Sequence, residues 1–190
     1  MSGGVLVVLA GTSGAGKGTI GRRLRELYPD LRWSVSWTTR APRADEAEGV
    51  DYHFVSLEEF ERLRDLGGFL EWFDVYGDLK GTPRQFVVDA LAAGHDVLLE
   101  LDVHGALAVR EAIPDALLVF VRAPSAEEQR RRIEARGADH PEAVERRLAR
   151  AEAEERIARE QFDAVIVNDD VGRATAELAA TLEARRSGSR

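Results

Sequence analysis

The residues with the clearest potential for chemistry form a glycine-rich stretch over 11–19, with the sequence GTSGAGKGT. An apolar run over 5–9 precedes it and residues of helical spacing follow it, so the sequence predicts a strand, a tight turn and a helix. Glycines allow successive backbone N–H groups to face one anion, and the helix N-terminus and Lys17 both add positive charge. The spacing of Gly11, Gly16 and Lys17 matches the phosphate loop of enzymes that use nucleoside triphosphates.

One position of this loop departs from the usual pattern. The hydroxyl residue that normally follows the lysine and binds Mg²⁺ is Gly18 here, and Thr19 comes one place later. The magnesium-binding hydroxyl is thus displaced to Thr19 or replaced by another group. The competing interpretation, a glycine-rich turn without a ligand, is disfavoured by the lysine and the apolar strand. The predicted phosphate-binding residues are Gly11, Thr12, Ser13, Gly14, Ala15, Gly16, Lys17, Gly18 and Thr19.

A second group of candidate anion ligands follows this loop. Arg40 and Arg43 are three residues apart with a proline between them, a spacing that can present two guanidinium groups to a phosphate dianion. Tyr52 can add a hydroxyl donor. The alternative is a set of surface ion pairs with the acidic residues over 45–48.

Glu71 lies among large apolar neighbours in a strand-like segment over 69–73. A carboxylate that faces inward needs a partner, because a lone buried charge is costly. Guanine offers two adjacent donors, N1–H and the exocyclic amine, whereas adenine presents an acceptor at N1 and would be repelled. The equally weighted alternative is a Glu71 that points to solvent from an alternating strand.

Asp102 ends an apolar strand over 97–101, with Glu100 two residues earlier on the same face. Phosphate-loop enzymes reach Mg²⁺ from this position, directly or through water. The alternative is that Asp102 caps the N-terminus of the next helix.

The elements that must position these residues alternate along the chain. Short apolar runs lie at 5–10, 97–101, 116–121 and 164–167, and segments of helical period lie at 106–113, 126–135 and 171–182. This alternation predicts an α/β fold, in which a parallel sheet is covered by helices on both faces. Such sheets bind ligands at the carboxyl ends of their strands, where the glycine-rich loop lies.

The segment over 34–93 breaks this rhythm and predicts a small α+β insertion of short antiparallel strands and two helices. A capping box at Ser56–Glu59 opens the first helix, which ends near Asp65, and Pro83 is expected in the first position of the second. From 125 onward arginines alternate with glutamates, a pattern typical of solvated helices with i,i+4 ion pairs. The alternative is a mobile helical hairpin whose arginines close over a triphosphate.

The composition limits the partners. The chain has 190 residues, 44% hydrophobic and 32% charged, with a formal net charge of −8, which is typical of a globular domain and disfavours a broad nucleic-acid or anionic-membrane surface. The absence of cysteine excludes disulfides, thiolate metal sites and cysteine nucleophiles. The N-terminal apolar run is too short for a signal peptide or a membrane span, so a cytoplasmic protein is expected.

Taken together, these segments resemble the guanylate kinase family over about 5–182, in the family's order and spacing. The phosphate loop alone indicates only a superfamily, and its combination with TTRAPR and DYHF is specific. The similar stretches are GTSGAGKGT at 11–19, SVSWTTRAPR at 34–43, GVDYHFV at 49–55, FLEW at 69–72, GT at 81–82, LELDVHG at 99–105, RIEARG at 132–137 and VIVNDD at 165–170.

The resemblance implies a three-layer P-loop core over 1–35, 94–129 and 151–190, a GMP-binding insertion over 36–93 and a helical lid over 130–150. It implies transfer of the ATP γ-phosphoryl group to GMP or dGMP with Mg²⁺, and small-molecule substrates only, with no nucleic acid, membrane or obligate protein partner.

The resemblance also assigns roles to single residues. The residues implied to contact the GMP phosphate are Arg40, Arg43, Tyr52 and Lys80, where Lys80 stands in place of the family's usual tyrosine. The residues implied to contact the guanine base are Ser36, Glu71 and Thr82. Asp102 is a candidate for both substrate and Mg²⁺, Thr19 for Mg²⁺, and Asn168 lies beside adenine. The implied catalytic cations are Lys17, Arg40, Arg132, Arg136 and Arg147.

Two other functions compete with this interpretation. A kinase for a phosphorylated sugar is disfavoured because the set of base-contacting residues is intact. A non-catalytic guanylate-kinase-like domain that binds proteins is disfavoured because such domains typically lack a working phosphate loop, whereas Lys17 is present here.

Overall fold

The structure is a computed structural model, and it describes residues 3–43, 46–75, 77–135 and 141–188. Strands and helices are numbered separately in chain order. The strands are β1 (Leu6–Gly11), β2 (Arg32–Trp33), β3 (Trp37–Thr38), β4 (His53–Phe54), β5 (Phe69–Val75), β6 (Asp78–Pro83), β7 (Val97–Glu100), β8 (Leu117–Arg122) and β9 (Ala164–Val167). The helices are α1 (Lys17–Leu27), α2 (Leu57–Asp65), α3 (Arg84–Ala92), α4 (Val103–Ala112), α5 (Ala126–Glu134), α6 (Pro141–Gln161) and α7 (Val171–Gly188).

The central sheet has the order β2-β7-β1-β8-β9, and all of its pairings are parallel. Strand β1 lies in the middle and is buried along its whole length, as expected for an apolar run covered on both faces. Val7 and Leu9 pack with α1 and α7, whereas Val8 and Ala10 pack with α4. The predicted three-layer α/β core is confirmed.

Every apolar run and helical segment predicted for the core is present as a strand or helix. The edge strand β2 is the one addition, and it has only two residues, of which Arg32 is exposed. Two residues of mixed polarity contain no periodic pattern, so β2 depends on its pairing with Val97 and Leu98 of β7.

The second sheet has the order β4-β3-β6-β5 and belongs to the predicted α+β insertion. The expectation of antiparallel strands is wrong for one pair, because β3 and β4 run parallel while β6 is antiparallel to β3 and β5. Parallel neighbours require a crossover rather than a hairpin. The crossover is the segment over 39–52, which carries the predicted arginine pair, so the pairing holds both ends of that segment.

The helix starts of the insertion differ from each other. Ser56 caps α2 as predicted, because its Oγ accepts from the Glu59 N–H at 3.1 Å. Pro83 is the residue before α3 rather than its first residue, with extended backbone angles and no side-chain cap. The proline ends β6 because it forms the last pair with Phe69.

None of the helices within the described ranges is long and apolar enough to cross a membrane.

The insertion has a small hydrophobic core of its own, formed by Phe60, Phe69 and Leu79. The rings of Phe60 and Phe69 are stacked with centroids 4.4 Å apart. We expect Phe60→Ala to destabilise the protein by about 3–5 kcal/mol, because it removes a fully buried ring from a cluster of few members. Urea unfolding measures the change. Leu66→Ala, at a side chain that is 78% exposed, is the matched control and should change stability by less than about 0.5 kcal/mol. Equal effects of the two substitutions would contradict an independent core in the insertion.

Candidate functional site

The glycine-rich loop joins β1, at the centre of the sheet, to α1. Gly14 and Gly16 have φ of 80° and 84°, a region that favours glycine. Helix α1 has no side-chain cap, and the Thr19 N–H donates to the Gly16 carbonyl at 3.1 Å, so Lys17 and Gly18 offer the N–H groups at the helix start that can face a ligand. The loop therefore has the backbone geometry of an anion site.

An open cleft of about 510 Å³ lies over this loop. Of the predicted site residues, the structure brings Lys17, Asp102 and Arg147 together with the loop glycines in this cleft. Thr19 is exposed and is not among the lining residues. The lining residues are Gly11, Thr12, Ser13, Gly14, Gly16, Lys17, Gly18, Glu100, Asp102, Arg147, Arg150 and Glu154.

Glu100 also lines the cleft, although the sequence indicates only that it lies two residues before Asp102 on the same face and assigns it no role. Its Oε1 atom is buried and has no hydrogen-bond partner among the described residues. Burial raises the pKa of Glu100, and the positive charges of Lys17, Arg22 and Arg25 partly offset this rise. A Cβ at Gly18 would lie 3.5 Å from Glu100 Oε2, so the glycine in place of the usual hydroxyl residue lies directly beside this carboxylate.

Asp102 is the N-terminal cap of α4, as one of its two interpretations predicted. Its Oδ1 accepts from the Gly105 N–H at 2.9 Å, and its Oδ2 accepts from Arg150 Nη2 at 3.1 Å. Arg150 Nε also donates to Oε1 of the buried Glu154 at 2.7 Å. Arg150 and Glu154 were not predicted, since one arginine and one glutamate in a charged helix carry no distinguishing signal.

The arginine pair lies on the insertion and forms a cluster with two other predicted residues. Arg40 Nη2 donates to Glu46 Oε1 at 2.7 Å, and the Arg40 guanidinium lies 5.6 Å from the centre of the Tyr52 ring. Lys80 Nζ donates to the Tyr52 hydroxyl at 3.3 Å. Arg43 has an exposed side chain, and its backbone N–H donates to Glu46 Oε2 at 2.8 Å. Arg40, Tyr52 and Lys80 are therefore adjacent.

Glu46 thus forms the ion pair with Arg40 that the alternative interpretation predicted. Hydrogen bonds from Arg40 and from the Arg43 backbone hold the pKa of Glu46 down at about 2. The carboxylate remains ionised at neutral pH and keeps the Arg40 guanidinium oriented beside Tyr52.

Glu71 is buried, with 7% of its surface exposed, so the solvent-facing alternative is wrong. Thr82 Oγ1 donates to Glu71 Oε1 at 2.5 Å. Burial raises the pKa of Glu71 to about 7, and the negative charge of Asp102 adds to this rise, while the hydrogen bond from Thr82 opposes it. Ser36, which directly precedes β3, is half-buried. Its backbone carbonyl accepts from the His53 N–H at 2.9 Å.

The remaining predicted residues lie behind the loop or outside the described residues. Arg132 Nε donates to Glu128 Oε1 at 2.7 Å, and its Nη2 donates to the Asn168 carbonyl at 3.0 Å. Asn168 Nδ2 donates to the Ala15 carbonyl at 2.7 Å. Arg136 falls within 136–140, which lies outside the described residues.

The raised pKa of Glu71 predicts a pH-dependent effect on stability. The native value of about 7 lies above the ordinary value of 4.5, so the stability linked to this group is fully present below about pH 4.5 and is lost as the pH rises through 7. We expect Glu71→Gln to be more stable than the wild type by about 1–3 kcal/mol at pH 8, and by less than about 1 kcal/mol at pH 5, where most of the native carboxyl is still protonated.

Urea unfolding at the two pH values measures this difference, with the exposed Glu58→Gln as the control. A stability difference that is the same at pH 5 and pH 8 would contradict the assignment of a raised pKa to Glu71.

Comparisons with known proteins agree with this geometry. The family model described as "Guanylate kinase" matches residues 4–185. A guanylate kinase of Symbiobacterium thermophilum is 53% identical over 185 residues, which cover 97% of this chain and 87% of the relative. A guanylate kinase of Rubrobacter xylanophilus is 51% identical over 175 residues, which cover 92% of this chain and 91% of the relative.

The structure of this chain is also similar to that of a solved guanylate kinase. The crystal structure of a guanylate kinase from Anaplasma phagocytophilum superposes with a TM-score of 0.78 at 34% identity, covering 97% of this chain and 87% of that one. The chain therefore shares the overall fold of that guanylate kinase. With a family match over nearly all of its length and relatives about half identical to it, the chain belongs to the guanylate kinase family.

Proposed function

We propose that this chain transfers the γ-phosphoryl group of ATP to GMP, and to dGMP, to give ADP and the corresponding diphosphate. The observation that carries the substrate assignment is the buried Glu71 on the insertion, with its hydrogen bond from Thr82. The family membership supports the reaction type. The insertion over 36–93 would then hold the acceptor, 130–150 would form the lid, and 1–35, 94–129 and 151–190 would form the core.

The phosphates of ATP would bind over the loop 11–19. The N–H groups at the start of α1 and the Lys17 ammonium would supply the positive potential for three adjacent phosphates. Adenine would lie near Asn168, by the resemblance.

Mg²⁺ fits the carboxylates of this cleft. Oxygen donors are the ligands that Mg²⁺ prefers, and the unpartnered Oε1 of Glu100 lies next to the phosphate loop. Asp102 would act with it once Arg150 releases its Oδ2, whereas the exposed Thr19 is less well placed. The ion would neutralise charge on the terminal phosphates.

GMP would bind to the insertion at two points. Its phosphate would meet Arg40, Arg43, Tyr52 and Lys80, of which Glu46 holds Arg40 in place. Its guanine N1–H and amine would donate to Glu71, which must be ionised to accept both. Adenine would place its N1 acceptor against a carboxylate oxygen, leaving both without a donor. Ser36 and Thr82 would supply hydroxyl groups to the base, as the resemblance implies.

Transfer would be a direct in-line displacement without a covalent enzyme intermediate. The acceptor is an anionic phosphate oxygen, so no general base is needed. Arg132, Arg136 and Arg147 would neutralise charge on the moving phosphoryl group, and closure of the insertion and the lid would exclude water. The substrates are small nucleotides in the cytoplasm, with no nucleic acid, membrane or obligate protein partner required.

The first test is the release of ADP from Mg-ATP with GMP, dGMP, AMP, CMP, UMP or ribose 5-phosphate as acceptor. We expect turnover with GMP and dGMP alone. Glu71→Gln should lower kcat/KM for GMP about 10²-fold or more, because the amide places a donor against one of the two guanine donors. The exposed Glu58→Gln should leave the rate unchanged.

The outcomes separate the alternatives. Turnover with ribose 5-phosphate would replace guanylate kinase with a sugar-phosphate kinase. No turnover with any acceptor would favour a binding domain, and full activity of Glu71→Gln would refute the guanine contact while leaving the reaction in place.

A second test concerns the metal site. We expect Glu100→Gln to raise the Mg²⁺ concentration for half-maximal rate by about tenfold, because one anionic ligand is lost, while KM for GMP stays within about twofold of the wild type. Glu111→Gln, at an exposed position on α4, is the control. An unchanged Mg²⁺ requirement would contradict a role for Glu100 in holding the ion.

A further inference from the structure

Two backbone carbonyls of the phosphate loop are bound from outside the cleft by buried side-chain amides. Gln129 Nε2, on α5, donates to the Ser13 carbonyl at 2.9 Å. Asn168 Nδ2, just after β9, donates to the Ala15 carbonyl at 2.7 Å. The two residues are only 4% and 3% exposed. The loop is therefore held at alternate peptide groups by two elements distant in sequence.

The geometry of the peptide group gives these bonds a consequence for the ligand side. In a planar trans peptide the C=O and the following N–H point in opposite directions. A carbonyl of Ser13 that is held away from the cleft directs the N–H of Gly14 toward it, and the carbonyl of Ala15 does the same for Gly16. Both glycines line the cleft. The two amides thus determine where two of the loop's anion-binding N–H groups point.

The carbonyl of Gly16 accepts from the Thr19 and Ile20 N–H groups of α1, and these bonds leave the direction of the N–H groups of Gly14 and Gly16 to the peptide groups before them. Both have positive φ and no side chain, so the free loop would sample many conformations. The two anchoring residues lie directly against them: a Cβ on Gly16 would be 2.4 Å from the side-chain Nδ2 of Asn168, and one on Gly14 would be 3.2 Å from the backbone carbonyl oxygen of Gln129. Arg132, which lies on α5 with Gln129, also donates to the backbone carbonyl of Asn168 at 3.0 Å. Helix α5 therefore contacts the second anchoring residue as well as carrying the first.

The orientation of the Asn168 side chain does not satisfy all of its own hydrogen-bonding atoms. A buried amide that serves only its own packing is expected to satisfy both its donor and its acceptor atoms. The Oδ1 of Asn168 has no partner among the described residues, while its Nδ2 makes a short bond to the loop. The position of this side chain is therefore matched to the Ala15 carbonyl rather than to its own complete satisfaction.

We propose that Gln129 and Asn168 are positioning residues that pre-organise the phosphate loop, and that they set its affinity for the phosphate chain of the donor regardless of the base attached. This inference rests on the proposed function in one respect, that a triphosphate is the ligand of the loop. Pre-organisation lowers the entropic cost of binding, because the N–H groups already face the ligand before it arrives.

The proposal differs from a contact between Asn168 and adenine in one measurable way. A base contact affects only nucleotides, whereas a loop with misdirected N–H groups binds every polyphosphate less well. Inorganic tripolyphosphate has no base and is therefore the probe that separates the two roles. Gln129 serves as the second probe position because its amide bonds to the loop carbonyl rather than to the cleft.

The experiment compares the wild type with Gln129→Leu and Asn168→Leu, in which an apolar group of similar size replaces each amide. Calorimetry gives the dissociation constants of tripolyphosphate and ATP, and the kinase assay gives KM for ATP and GMP. We expect both variants to bind tripolyphosphate and ATP about tenfold more weakly, with KM for GMP within about twofold of the wild type. Gln85→Leu, which removes an exposed amide bonded to Asp89, is the matched control.

Two results would overturn the proposal: unchanged tripolyphosphate affinity in both variants, or a loss in Asn168→Leu that is confined to ATP. If Asn168→Leu does not fold, Gln129→Leu decides alone, and Gln129→Asn, which is one methylene too short to reach Ser13, repeats the test with a polar side chain. A wild type that binds tripolyphosphate without phosphorylating GMP would refute the proposed reaction only. An active wild type with unaffected variants would refute the pre-organised loop only.

Discussion

The structure depends on the anchoring of one short turn, the loop over 11–19, at the centre of the sheet. Strand β1 is buried on both faces and leads directly into the loop, so the start of α1 has a defined position. The amides of Gln129 and Asn168 hold the loop from outside the cleft. A phosphate chain is recognised mainly by direction, because backbone N–H groups attract it only when they face it together. The other site residues are arranged around that fixed turn.

The protein has a net charge of −8, yet its proposed ligands are anions and a cation. Ion pairs order the arginines of the site, and burial changes the pKa of two of its carboxylates. Arg40, Arg132 and Arg150 each lie against a carboxylate, which keeps a long side chain ordered near the cleft or the insertion. Glu71 and Glu100 are the opposite case, because burial raises the pKa of each. Glu71 accepts from Thr82, and Oε1 of Glu100 has no hydrogen-bond partner among the described residues. Guanine donors and a magnesium ion are ligands of the kind that would satisfy these two carboxylates.

The differences between expectation and structure have identifiable physical causes. Parallel pairing of β3 with β4 depends on hydrogen bonds between distant segments, and strands of two residues have no alternation from which to infer direction. Glu71 has two equal interpretations in sequence because an alternating strand offers two faces, and only packing of the insertion against the core decides between them. Gln129 and Arg150 carry no local signal, since each bonds to a partner far away in the chain.

By itself, the sequence determined the α/β class, the phosphate loop, the insertion and the resemblance to guanylate kinases, because apolar periodicity and glycine spacing are local properties of the chain. Only the tertiary structure decided which side chains share a cleft, that Asp102 both caps α4 and pairs with Arg150, and that Thr82 donates to Glu71. The physical reason is the distance along the chain over which each kind of interaction acts. Backbone preference acts over a few neighbouring residues, whereas burial, pKa and hydrogen-bond partnership depend on atoms that folding brings together from anywhere in the chain.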